Sequence, residues 1–563
     1  MEKTRIDGIF RKGRCLEVPF FQRSYVWSEE NWERFLEDME NVCINNKDYF
    51  MGTYILKQQE VPSTCEIGEI RTVIDGQQRF TTILIFFYVL FQKQNQQSQF
   101  KELFFNRSSR IGLKHNHNDV EIFEAIINGN LTEELKEKYE NNQVLKAYNY
   151  FETNLNIDKL NANTLLNKLY FVGIDVQQNE DEQQIFDTIN SLGVRLTTAE
   201  LLKNYLFANL DDIQLYNETW KSCFEKDLET KNFWDELITS GSKTRNNIDM
   251  LLYSYLSVFY KKDFTIDSLF SSFKDYLKEV DYKNNKERIL NQIISYANLY
   301  RDNINTACCD EALQETSSSI SRLNIIFFGL DTTTVIPYCL YVLKNSEILE
   351  QQKIFEFLEA YIMRRMVCDW STKNYNNMFQ SFIRSEILTA EALKNEIYNT
   401  KKDFSKNSKM PDDEEIVNVV KNTGHTNKKA KGILYLLETA SRNEKHCTSL
   451  LAFSKYDLEH IMPQSWDINW KLKDSSSENI KRRNEYISLL GNKTILSSRL
   501  NRAIKNAEWK IKKTGNGSKY GLERYASGLE TFNFQDINEW NEDKIDERNV
   551  KLANLINEYW IAK

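Results

Sequence analysis

The stretch Tyr456-Asp457-Leu458-Glu459-His460-Ile461-Met462-Pro463-Gln464 sets an acid beside an imidazole, just ahead of a proline. It is followed by Leu490-Gly491-Asn492-Lys493-Thr494-Ile495-Leu496 and by Leu500-Asn501-Arg502. Neighbouring residues of a strand face opposite sides, so Glu459 and His460 on one strict strand would diverge. A strand that ends there, broken by Pro463, relieves the conflict. Phosphodiester hydrolysis needs a base to activate water and a cation on the scissile phosphate and leaving oxygen. His460 can serve as the base, since an imidazole is largely unprotonated near neutrality. Glu459 and Asn501 offer hard oxygen donors that suit Mg²⁺ or Mn²⁺ rather than zinc. Asn492 follows Gly491 in a turn, where its amide could pin the loop that carries His460. A lone Glu-His pair is usually a surface or satisfied core pair. This one belongs to a pattern running from Tyr456 to Asn501, in a chain with only five His.

Glu459 to Gln464, with Gly491 to Leu496 and Asn501, resembles the GmrD-type HNH domain. The step from Asn492 to Asn501 is also similar to the HNH domain of RNA-guided CRISPR nucleases. The resemblance implies a ββα-metal fold in which His460 is the general base and Asn492 the structural member of the catalytic set. Glu459 and Asn501 would then hold the metal. Many HNH domains carry a second His where this chain has Asn501, and an amide is the weaker ligand.

Composition bounds the rest. A chain of 563 residues is too long for one ordinary core, and length alone suggests about three or four domains. With 41% hydrophobic residues there is ample material for buried cores. The apolar run Ile83 to Phe91 is too short to span a bilayer and reads as a buried helix. The start Met1-Glu2-Lys3-Thr4-Arg5 lacks the apolar region of a signal peptide. A cytoplasmic protein with no membrane partner is expected. Nine Cys without a CxxC pair point to reduced, mostly buried thiols, and against a zinc-stapled domain. Net charge is −8, yet Lys471 to Tyr520 holds thirteen Lys and Arg against four Asp and Glu. A charge run is more often a solvated face than a binding surface. This one surrounds the candidate site, so Lys481, Arg482, Arg483, Lys493, Arg502 and Lys510 are candidate DNA phosphate contacts.

Toward the N-terminus, Phe20 to Trp27 is an aromatic cluster, and Ser28-Glu29-Glu30-Asn31-Trp32 starts a helix with Trp32, Phe35, Leu36 and Met39 on its apolar face. Strands are expected at Tyr49 to Leu56, Arg71 to Ile74 and Phe171 to Val176. After the second, Asp75-Gly76-Gln77-Gln78-Arg79 leads into a helix from Phe80 to Gln92. A strand, a glycine turn and a helix N-terminus make a phosphate cradle, because the first N–H groups are unpaired. Arg79 could add a fork, and Thr81 a hydroxyl. Asp-Gly alone is only a turn signal, and no Walker loop is present. A further helix is expected from Asp181 to Asn190, then a break at Gly193 and a helix capped by Thr198.

Phe21 to Trp27, Val73 to Thr82 and Phe186 to Asn204 resemble, in the same order, the GmrS-type domain. The resemblance implies a ParB-like α/β fold, NTP binding and hydrolysis, and sensing of modified DNA. Asp75, Gly76, Gln78, Arg79 and Thr81, with Arg23, Asn190 and Arg195, would form the nucleotide site. Gln22 and Tyr25 would contact the DNA modification. From Leu210 to Ser449 apolar spacing of three and four predicts helices, with Arg364-Arg365 on one of them as a salt-bridged pair or a phosphate contact, and Asn422 to Lys431 as a loop. Ile545 to Trp560 closes the chain as a helix with Ile545, Leu552, Ile556 and Trp560 inward.

The expected protein is therefore α+β and predominantly helical. A sensor and NTPase domain spans residues 1–209, a helical connector 210–449 and the HNH nuclease domain 450–563. The expected function is modification-dependent DNA cleavage in anti-phage restriction, with Mg²⁺ or Mn²⁺ and an NTP as cofactors, DNA as partner and room for a homo-oligomer. A phosphorothioate-sensing NTPase and nickase has the same architecture. A nucleotide-switched DNA-binding protein with a non-catalytic end is the alternative of another class.

Overall fold

The computed structural model describes residues 2–19, 22, 24–59, 69–116, 119–176, 197–207, 212–240, 243–314, 317–399, 408–442, 450–517, 521–525, 529–532, 534 and 536–562. The chain divides into two compact units, Met1–Tyr216 and Asn217–Lys563. The fold is mostly helical with a small mixed sheet near the N-terminus, as the sequence leads one to expect.

In the first unit β1 (Glu2–Arg5), β2 (Arg14–Glu17), β3 (Tyr49–Gln58), β4 (Glu69–Asp75), β5 (Leu113–Lys114) and β6 (Leu169–Val176) form one sheet in the order β1-β6-β3-β4-β2-β5. The pairs β3/β6, β2/β4 and β2/β5 are parallel, while β1/β6 and β3/β4 are antiparallel. The helix Glu29–Asn45 starts at Ser28, where Ser28 and Asn31 cap each other's backbone. Its Trp32, Phe35, Leu36 and Met39 are buried together, each contributing about 1.5–3 kcal/mol. They join the helix Gln77–Lys93, whose Ile83 to Phe87 are wholly enclosed. Thr197, one residue earlier than expected, caps the helix Thr198–Leu206, because Glu200 lies three residues on and returns its hydrogen bond. The expected Asp181 to Asn190 helix and the Gly193 break lie outside the described residues.

Among its described residues the second unit is helical apart from two strand pairs, β7 (Leu237–Ser240) with β8 (Lys243–Asn246) and β9 (Tyr456–His460) with β10 (Lys493–Ser497). The segment expected as a loop over Asn422 to Lys431 is corrected, since a helix spans Asn427–Ser441. Its polar start hid an apolar face of Ala430, Ile433, Leu434 and Leu437, which packs on β9, β10 and the terminal helix Glu542–Tyr559. That terminal helix buries Ile545, Leu552 and Ile556, and Trp560 is buried just beyond its end, as expected. Arg364 and Arg365 are wholly buried. Arg364 donates to the carbonyls of Pro411 and Trp560 at 2.8 Å, and Arg365 to those of Lys409 and Ser371 at 2.8 Å. Both guanidiniums are thereby structural. No helix among the described residues is long and apolar enough to cross a membrane.

Candidate active site

β9 runs through to His460, its last residue, and pairs antiparallel with β10 so that His460 faces Lys493 and Glu459 faces Thr494. The helix Ser498–Ile504 follows β10 directly, capped by Ser497, and packs on both strands. It carries Asn501, half-buried, against the strand pair that ends in Glu459 and His460.

The turn before β10 holds the chain after His460. Asn492 is wholly buried; its side-chain amide donates to the carbonyls of Met462 (2.8 Å) and Ile487 (3.2 Å). Its Oδ1 accepts from Met462 N–H at 2.8 Å and Trp540 Nε1 at 3.1 Å, and its own carbonyl accepts from Ile461 N–H at 2.8 Å. Both amide hydrogens and both lone pairs are used. Asn492 is a positioning residue, as the turn suggested, with nothing left to offer a substrate. Gly491 precedes it because a Cβ there would lie 2.5 Å from Asn549 Oδ1 and from the Ile545 carbonyl. Arg548 and Asn549 escaped the sequence reading. Asn549 Oδ1 accepts from Gly491 N–H at 2.7 Å, and Arg548 donates to the carbonyls of Gly491 (2.7 Å) and Lys493 (2.6 Å).

Lys512 also went unassigned. Its ammonium is fully enclosed and donates to Glu459 Oε1 at 2.5 Å and to the His460 carbonyl at 3.0 Å. Burial pushes the Glu459 carboxyl above its ordinary range, and Lys512 opposes that shift without cancelling it. His460 is pulled down to about 4, first by burial and then by the nearby charges of Lys493 and Lys512. The imidazole is therefore neutral at physiological pH, the form a base requires.

The basic stretch separates into two sets. Lys481, Arg482, Arg502 and Lys510 are exposed. Arg483 and Lys493 are not, which corrects their reading as phosphate contacts. Arg483 grips both oxygens of Glu542, at 2.7 and 3.1 Å, and also binds the Trp470 carbonyl. Lys493 donates to the His425 carbonyl, and burial lowers it to about 8. Spending either ammonium or guanidinium on DNA would orphan a buried acceptor.

A divalent cation fits this end on the chemistry of its donors. Among the described residues no three His, Cys, Asp or Glu gather at one point. Lys512 takes one Glu459 oxygen and leaves the other. Glu459 with the Asn501 amide suits Mg²⁺, which keeps several waters and draws its remaining ligands from substrate phosphate.

In the first unit, segments distant in sequence converge behind β4. Gly76 adopts φ +105° at the N-terminus of the Gln77–Lys93 helix, and Arg79 reaches back to Asp75 at 2.8 Å. Gly52, at φ +107° beside an irregularity in β3, leaves room for the Arg79 guanidinium, since a Cβ there would lie 2.3 Å from it. Gln78 Oε1 accepts from Val26 N–H at 2.8 Å, and Gln22 donates to the Val73 carbonyl at 2.8 Å. Thr81 is buried and spent on the Gln77 carbonyl and His115 Nε2, which corrects its assignment to a phosphate. Tyr25 is likewise enclosed; its hydroxyl meets Thr82 Oγ1 at 2.6 Å and Trp32 Nε1 at 2.8 Å, so in this conformation it is not open to a DNA base. Burial raises its pKa. Asp119 completes the network, accepting from Tyr25 N–H at 2.7 Å and from Asn142 at 2.9 Å. Arg23, Asn190 and Arg195 lie outside the described residues.

Comparison with known families gives two matches. The N-terminal domain of the GmrSD restriction endonucleases matches residues 6–207, and their C-terminal domain matches residues 405–555. The second match takes in the Asn427–Ser441 helix packed on β9 and β10. No curated protein matches the chain.

Proposed function

Because the chain has the two-domain architecture of the GmrSD restriction endonucleases, we propose that its C-terminal end is a metal-dependent HNH-type DNA nuclease of the ββα-metal kind. The observation that carries this reading is His460 at the tip of β9, next to Glu459, on a strand pair against which the helix bearing Asn501 packs. His460 takes the proton of the attacking water. Glu459, through its remaining oxygen, and Asn501 would hold Mg²⁺ or Mn²⁺, which would supply positive charge to the scissile phosphate and leaving oxygen. Burial first, and then the charges of Lys493 and Lys512, keep the imidazole unprotonated until a phosphate enters. Lys481, Arg482, Arg502 and Lys510 guide the DNA backbone.

The N-terminal unit, read as a ParB-like domain, binds an NTP at the Gly76 turn, with Asp75, Gln78 and Arg79 around the phosphates, and gates cleavage according to the modification on invading DNA. Support comes from the Gly52 gap that admits Arg79, and from the bonds of Gln22, Tyr25 and Val26 to Val73, Thr82 and Gln78 on either side of the Gly76 turn.

The test is incubation of the full chain and Mg²⁺ with matched supercoiled DNA, plain, glucosylated or phosphorothioate, with and without NTP. Expected is metal-dependent nicking that modification and NTP alter, and that His460→Ala abolishes by about 10²–10⁴-fold. A folded His460→Ala chain that cuts at the wild-type rate removes His460 from the mechanism.

A further inference from the structure

Lys512 places a full positive charge against the carboxylate assigned to the metal. The ammonium is wholly enclosed, and its two contacts, Glu459 Oε1 and the His460 carbonyl, both belong to the tip of β9. It is also held from behind. The short helix Trp509–Thr514 that carries it is anchored by Trp509, whose Nε1 donates to the Ile537 carbonyl at 3.2 Å and whose ring lies 5.6 Å from that of Trp540. Trp540 in turn bonds Asn492 Oδ1. One chain of contacts therefore fixes both the turn that positions His460 and the cation that faces Glu459. An ammonium so committed cannot swing out to a phosphate without abandoning two acceptors.

The local charges decide what this does. Glu459 and Lys512 form a buried ion pair at 2.5 Å, so the carboxylate's charge is already matched, and Asn501 offers only an uncharged donor. A dication entering this end without DNA therefore meets a carboxylate whose charge is already balanced by an ammonium. A DNA phosphate supplies the missing negative charge and further oxygen ligands. We propose that Lys512 couples metal loading to DNA binding: by balancing Glu459 it keeps the divalent cation weakly held in the free protein and firmly held only once a DNA phosphate is in place. This rests on the reading of Glu459 as a metal donor. Lys512 is thus a charge-balancing and positioning residue. The coupling spares the cell a permanently loaded nuclease.

The experiment measures Mn²⁺ binding by the electron spin resonance of free Mn²⁺, in full-length chains that all carry His460→Ala so that DNA stays intact. The site is defined as the Mn²⁺ binding lost on adding Glu459→Gln. In the parent, duplex DNA should tighten this site at least about tenfold, since one neighbouring charge shifts even a carboxylate's proton affinity by about one to three orders and a dication feels the same field doubled. Lys512→Met keeps the length and removes the charge; it should bind Mn²⁺ without DNA about tenfold or more tightly than the parent and gain little from DNA. Lys512→Arg should behave as the parent. A thermal melt establishes which variants fold, and the parent's DNA dependence is read whether or not Lys512→Met does. A Glu459-dependent site that is equally tight with and without DNA, or that ignores Lys512→Met, overturns the coupling and leaves the nuclease reading standing. Absence of any Glu459-dependent Mn²⁺ binding, even with DNA, overturns both.

Discussion

Replacing Asn492 tests whether the turn before β10 holds the catalytic loop. Truncation to Ala removes four side-chain hydrogen bonds from a wholly buried position. The carbonyls of Met462 and Ile487 each keep a second lone pair, so the main loss is at the donors Met462 N–H and Trp540 Nε1–H. A buried donor left unsatisfied costs about 1–3 kcal/mol, so two of them predict a loss of about 2–6 kcal/mol. That is a large share of the ~5–15 kcal/mol that holds an ordinary domain together. Asn492→Asp should be at least as damaging as Ala, because it sets a second oxygen against two carbonyls that now accept from the amide. The assay is urea unfolding followed by tryptophan fluorescence, then nicking at a temperature where each variant is folded. Nicking per folded molecule should fall about 10²-fold, since displacing a reacting group by about 1 Å costs that much. An Ala variant within about 1 kcal/mol of wild type, or an Asp variant more stable than Ala, would mean that these bonds are not made. Full activity per folded molecule would mean that the pin is structural only.

Three further outcomes follow from the same geometry. His460 is depressed to about 4 and is needed unprotonated, so kcat/KM for nicking should stay level from pH 8 to about 5 on its account and fall only below that; a midpoint near 6.5 would mean that the imidazole is not in this environment. Neutralising the exposed Lys481 and Arg482 should flatten the salt dependence of DNA binding by about 0.9 per lost phosphate contact, whereas Arg483→Gln should lower stability by orphaning Glu542; an unchanged slope would leave the exposed pair as a solvated face. Gly52→Ala should lose NTP binding together with Arg79→Ala, because its Cβ would displace the guanidinium, while basal nicking stays measurable; normal NTP turnover in both would reduce Asp75 to Arg79 to a structural turn.

The parts of the fold that were legible in the sequence are those whose determinants are local. Trp32, Phe35, Leu36 and Met39 repeat at helical spacing and are buried on one face, and Asp75-Gly76 ends a strand and opens a helix as its composition implies. Local chemistry also misled by small steps. Two adjacent threonines could each cap the Thr198–Leu206 helix, and only the three-residue step to Glu200 selects Thr197. What composition could not separate was which cations face solvent. Lys493, Arg483 and Lys512 look like their exposed neighbours because their partners are remote: the His425 carbonyl 68 residues away, Glu542 at 59 and Glu459 at 53. One local signal existed for Lys512. It stands three residues after Trp509, on the same face of a short helix, and a face that buries tryptophan carries its lysine inward as well. An enclosed lysine needs an acceptor, and the strongest one within reach of this site is a carboxylate. The spacing of Glu459, His460 and Asn501 was therefore legible along the chain, while the ammonium buried against Glu459 comes from a helix whose one local sign of enclosure is its tryptophan.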